Sequence, residues 1–144
     1  MVDRRTFLAS AGGLAAGLAG CLGSGAASNE HDIGMSSSDF LPAEYHVEPG
    51  TTVVWKNTST RAHTVTAYEN ILPEGAEYFA SGGYESEKRA RDAWYGSGGG
   101  AIYPGGTFTH TFDQPGRYPY VCIPHESSNM TGTIIVGSGA ETDR

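Results

Sequence analysis

Three side chains able to bind a soft metal ion crowd into one stretch, Cys122-Ile-Pro-His125-Glu-Ser-Ser-Asn-Met130. A thiolate, an imidazole and a thioether are donors of a trigonal His2Cys copper site with a long axial methionine. The second imidazole has a candidate in His63, at the start of a β-rich run about sixty positions upstream. Two distant chain segments would then grip one ion. Copper that cycles between two oxidation states needs donors that do not rearrange when its charge changes. A loop leaving a strand can offer them in this way, with Cys122 ending one strand and Met130 opening the next. Pro124 lacks an amide proton and fixes its own φ, which stiffens the turn just before His125.

Each donor also has an ordinary use. A lone buried cysteine behaves as a small hydrophobe, and a methionine as a core filler. Met130 is expected to make the weakest bond, because axial thioethers are long. Zinc favours a closed tetrahedron of nitrogen and sulfur ligands, and the fourth donor here is a thioether, which suits it poorly. A Cys–His hydrolase needs an orienting group and an oxyanion hole, and no such signature flanks Cys122. Of the five histidines, His31 falls in a polar stretch with Met35, both expected to be exposed rather than ligating. His46 and His110 fall within strand patterns, facing solvent or the core rim. No His-x-His pair occurs, so a second, catalytic copper centre is not expected, and neither is an enzyme.

The elements that must position these donors read as short strands. Hydrophobic residues are 38% and charged residues 17% of 144, which excludes a long coiled coil and a highly charged disordered chain. Thr51-Thr-Val-Val-Trp-Lys56 is β-branched and aromatic. Phe108, His110 and Phe112 alternate with threonines, and Tyr118, Tyr120 and Cys122 share one face. Tyr118 and Tyr120 are expected in the core. Runs at 40–47, 63–68 and 131–136 complete an all-β pattern, punctuated by Pro49-Gly50 and Pro115-Gly116. The expected fold is a Greek-key β-sandwich or barrel, with Asn57 supporting the turn before His63. The pattern lapses at 74–100. There, residues 86–95 carry helix formers ending at Gly96, and 96–100 reads as a mobile return loop. This excursion either serves a partner surface or is a decorative insertion.

The flanks strengthen the ligand pattern. Val47-Glu-Pro-Gly50-Thr-Thr-Val-Val-Trp-Lys-Asn57, Ala62-His63-Thr64-Val65, Phe112-Asp-Gln-Pro-Gly116-Arg-Tyr118-Pro-Tyr-Val-Cys122 and Met130-Thr-Gly132 stand in register with Cys-x2-His-x4-Met. Together they resemble the blue (type 1) copper proteins of the plastocyanin, pseudoazurin and halocyanin group. The resemblance covers nearly all of 40–136 apart from the excursion. It implies a cupredoxin sandwich with a helix-containing insertion. It also implies one copper ion on His63, Cys122, His125 and Met130, and outer-sphere electron transfer through the exposed edge of His125. The sequence departs from the family at Thr64, where an asparagine commonly ties the two ligand loops together near the sulfur. It departs again in the length of 74–100.

The chain opens Asp3-Arg4-Arg5-Thr6-Phe7-Leu8 with a weakly apolar run to Gly20, which resembles a twin-arginine export signal. Leu18-Ala19-Gly20-Cys21 resembles a lipobox, in which Cys21 carries lipid; the alternative is a plain cleaved signal. The expected organisation is therefore a signal at 1–20, a flexible tether at 21–37, a copper domain at 38–138 and a tail at 139–144. A net charge of −7 argues against nucleic acid as a partner. The expected function is a monomeric one-electron carrier between redox proteins. It would be exported and lipid-anchored at the outer face of the cytoplasmic membrane. Copper delivery, or service as an accessory donor subunit to a copper oxidoreductase, is the alternative.

Overall fold

The computed structural model describes residues 30–137. The expected signal at 1–20, Cys21, most of the expected tether and the expected tail at 139–144 lie outside the described residues. Eight strands appear among those described: β1 (Ile33–Met35), β2 (Phe40–Leu41), β3 (Glu44–Val47), β4 (Thr51–Asn57), β5 (Thr66–Ala67), β6 (Thr107–Phe112), β7 (Gly116–Val121) and β8 (Thr131–Val136). They form two four-stranded sheets, ordered β2-β1-β4-β6 and β3-β8-β7-β5. The β1–β4 and β3–β8 pairs are parallel and the remaining pairs antiparallel. The architecture is a two-sheet β-sandwich with a helical insertion, as the sequence leads one to expect.

Alternation along the strands builds the core. Val53 and Trp55 of β4, Phe112 of β6, Tyr118 and Tyr120 of β7, and Ile134 and Val136 of β8 are buried between the sheets. Side chains two apart on a strand share a face, so these runs need no other instruction. Trp55 sits at the centre, with ring centroids 5.4 Å from Tyr120, 5.5 Å from Phe108 and 6.2 Å from Phe79. Gly132 on β8 admits the Tyr120 ring: a Cβ there would stand 2.5 Å from Tyr120 Cζ and Oη.

Three expectations from sequence are corrected. Met35, expected to be exposed in a tether, is fully buried, because 33–35 form a strand against β4. The helix, α1, spans Glu87–Ser97 rather than ending at Gly96. Ser86 caps its N-terminus by accepting from Arg89 N–H at 3.1 Å, and Gly98, at φ 76°, caps its C-terminus. The glycine-rich return is closely packed: a Cβ on Gly99 would collide with Tyr84 and Ala93, and one on Gly100 with the Ser81 carbonyl.

The insertion also enters the core. Phe79 is buried against Trp55, Phe112 and Tyr120. Ala67 N–H donates to Phe79 O at 3.1 Å and Ser81 N–H to Val65 O at 2.7 Å. Residues 79–81 thus border β5.

Candidate metal centre

The β7–β8 ladder delivers Cys122 and Met130 together. Its last pair is Val121 with Thr131, and one step further Cys122 N–H donates to Met130 O at 3.0 Å. The hairpin mouth is therefore closed, and 123–129 form a tight loop above it. This loop is a short 3-10 segment, Ile123–Ser128, with Pro124 in its first turn and a kink at His125 (φ −121°, ψ 22°). Asn129 ends it at φ 63°, a left-handed conformation that asparagine tolerates. His125 N–H donates to Cys122 O at 3.1 Å, and Met130 N–H to His125 O at 3.3 Å.

His63 arrives from the other side. It exchanges backbone bonds with Ile102, N–H to O at 3.2 Å and O from N–H at 2.7 Å, outside any longer strand. The strand expected over 63–68 is only two residues long. Asn57 replaces it as the organiser of this corner. Its Nδ2 donates to Arg61 O at 2.6 Å and to Ile102 O at 2.8 Å, and its Oδ1 accepts from Ser59 N–H at 2.9 Å and Ser59 Oγ at 2.7 Å. Every polar position of the amide is used.

These frames bring three donors together. His63 Nδ1 lies 3.5 Å and His125 Nδ1 3.4 Å from Cys122 Sγ, and the three ligand atoms fall within 4.8 Å of one another. With bonds of ~2.0 Å to nitrogen and ~2.3 Å to sulfur, a trigonal ion spaces its N and S donors ~3.7 Å apart. The donors thus already stand at nearly that spacing. Met130 is fully buried beside them in sequence and ladder. His63, Cys122 and Met130 have no exposed surface, whereas His125 keeps 8%. His46 is exposed on β3, and His110 packs at the core rim, away from this group.

The surroundings hold all three groups neutral. Burial pushes the His63 imidazole down to about 4, helped by the charges of His125 and Arg61. Burial and Arg61 also lower His125. Burial raises the Cys122 thiol, against hydrogen bonds from the backbone of Thr64 and His125. Neutral imidazoles keep a lone pair for a metal, and the thiol must release its proton to bind one.

Thr64 links the two ligand segments. Its N–H points at Cys122 Sγ at 3.5 Å, and its hydroxyl accepts from Ile123 N–H at 2.8 Å. Sequence reading missed Ser59, whose hydroxyl lies 2.9 Å from His63 Nε2 and so leaves Nδ1 to face the sulfur. It missed Glu126 as well. That carboxylate accepts from Arg91 and from the Tyr68 hydroxyl, and the Arg91 hydrogen bond holds its carboxyl below the usual range. The only local signal was that both residues adjoin a ligand segment.

Fold and donor set together define a cupredoxin-type metal protein. A family model described as copper binding proteins, plastocyanin/azurin family, matches residues 27–137, and the chain belongs to that family. Its cofactor is copper. Chloroplastic plastocyanin of Tetradesmus obliquus is 28% identical over 130 residues, covering 90% of this chain and 80% of that protein. The Fritillaria agrestis plastocyanin is 32% identical over 97 residues, covering 67% and 51%. Among solved structures, a purple cupredoxin from Nitrosopumilus maritimus aligns with a TM-score of 0.51 at 18% identity, covering 75% of this chain and all of that one. An oxidised amicyanin variant aligns at 0.53 and 22%, covering 76% and 88%.

Proposed function

We propose that the protein is a type 1 copper electron carrier. His63 Nδ1, Cys122 Sγ and His125 Nδ1 would hold one copper ion, and Met130 would offer it a weak thioether. Bound copper supplies a one-electron couple. The chain supplies a donor set already spaced for it, a dry surround, and one way out. The carrying observation is that His63, Cys122 and His125 stand mutually adjacent and buried, and that of the four expected ligands His125 alone keeps any exposed surface, 8%. Electrons then enter and leave through the His125 edge, toward redox proteins docking on that side. The absence of a His-x-His pair supports a carrier over an oxidase or reductase.

We also propose that the chain works as an exported monomer held at the outer face of the cytoplasmic membrane through lipid on Cys21. Arg4-Arg5 and Leu18-Ala19-Gly20-Cys21 support this. No helix among the described residues is long and apolar enough to cross a membrane. Mass spectrometry of the mature protein, with or without lipid, tests the anchor.

Adding Cu(II) to the metal-free protein should give an intense blue thiolate-to-copper absorption that Cys122→Ser lacks. Reversible one-electron voltammetry without turnover of oxygen or nitrite should accompany it. Rapid loss of copper to a chelator from the wild-type protein would instead point to copper delivery.

A further inference from the structure

The insertion helix meets the ligand loop through a two-pronged ion pair. Arg91, in the middle of α1, reaches Glu126, the residue directly after His125. Its Nη1 donates to Oε1 at 2.8 Å and its Nη2 to Oε2 at 3.1 Å. Behind it, Arg91 Nε donates to Glu87 Oε2 at 2.9 Å, one helical turn earlier. The Tyr68 hydroxyl donates to Glu126 Oε2 at 3.0 Å, and the guanidinium lies 6.0 Å from the Tyr68 ring centre. The start of α1 is fixed to the same region. Glu87 N–H donates to Glu69 Oε1 at 3.0 Å, and Glu69 N–H to Glu87 Oε1 at 2.9 Å.

A second pair on α1 shows the contrast. Lys88 and Asp92 also meet at 2.7 Å, but their side chains are 85% and 65% exposed, and such pairs contribute little. Arg91 and Glu126 are 24% and 36% exposed, and they are joined by a planar fork within a network. That geometry gives a partly exposed pair directional hold.

We propose that Arg91 is a positioning residue for His125, with α1 an external brace on the ligand loop. This rests on the type 1 copper reading above. The loop's own hydrogen bonds, His125 N–H to Cys122 O and Asn129 N–H to Glu126 O, close short turns within it. Arg91 and Tyr68 add anchors from outside, one residue from the ligand. His125 sits at the kink of the 3-10 segment, so the backbone at 125–126 aims its ring. The guanidinium also cancels a negative charge beside the metal. Left alone, that carboxylate would favour the more positive oxidation state of the ion.

The test uses the full copper-loaded chain. Arg91→Gln is expected to lower the midpoint potential and to speed copper release to a chelator about tenfold. Glu126→Gln should raise the potential, and the double variant should bring it back toward wild type while release stays fast. Arg91→Lys keeps the charge and loses the fork, so it should release copper quickly at a near-wild-type potential. Lys88→Gln serves as the control and should change neither. The inference is overturned if Arg91→Gln keeps the wild-type potential, release rate and electron paramagnetic resonance signature. It is overturned equally if Arg91→Lys releases copper as slowly as wild type. Failure of the copper reading itself shows separately, as a wild-type protein without blue absorption.

Discussion

The hydroxyl of Thr64 accepts a hydrogen bond from the backbone N–H of Ile123 at 2.8 Å, across 59 positions of sequence. Thr64 follows His63 and Ile123 follows Cys122, so this bond, beside the Thr64 N–H that points at Cys122 Sγ, ties the two halves of the metal centre. Thr64→Val keeps the shape and removes the acceptor, stranding a buried N–H. The metal-free protein should lose about 1–3 kcal/mol, read as a lower urea midpoint, and the copper form should change its potential. Thr64→Ser should restore most of both. An unchanged midpoint in the valine variant would show that the bond contributes nothing.

Asn57 uses its whole amide on the corner that carries His63. Asn57→Asp keeps the oxygen that accepts from Ser59 but turns an acceptor toward the carbonyls of Arg61 and Ile102. A loss of about 2–3 kcal/mol is expected, together with weaker copper retention because Ile102 is the backbone partner of His63. Chemical denaturation and a chelator competition read the two effects; full stability with normal copper retention would sink the role given to Asn57.

His110 lies between Phe79 and Phe112, 4.8 Å from each ring centre. Burial lowers its pKa, only partly offset by Glu77 and Asp113. Below about pH 6.5 the unfolded chain therefore takes up a proton that the folded chain resists. Stability falls as pH falls through that range. His110→Gln should flatten the drop between about pH 7 and pH 5 relative to wild type. Urea midpoints measured across that interval check it; parallel profiles for the two proteins would refute the assignment.

Gly132 gives way to the Tyr120 ring. Gly132→Ala should cost about 1–3 kcal/mol through overpacking, although its backbone conformation suits alanine. Thermal melting of the metal-free protein reads this, and an unaltered melting temperature would mean the ring moves aside freely.

Sequence carried the donors and the strands that alternate. Cys122, His125 and Met130 are adjacent in the chain, and Phe108-Thr-His-Thr-Phe112 displays its period openly. What escaped depended on contacts between distant segments. Met35 belongs to a three-residue strand buried on both faces, which shows no alternation and follows small polar residues. Phe79 lies in a stretch without periodicity, so nothing local marks it as core. Ser59 stands in a short polar run, Asn57-Thr-Ser-Thr60, where nothing local points to its contact with His63. Arg91 and Glu126 are 35 positions apart, and each looks like an ordinary surface charge until the helix docks.

The seating of Phe79 under the central indole limits how the molecule can be trimmed. A minimised version that excises the whole of 74–100 would hollow out the interior as well as remove a projection. The border along β5 would go with it. The core tolerates shortening only beyond residue 81, which makes the first part of the excursion scaffold, and an exchange of the helix would have to keep Arg91 in reach of Glu126.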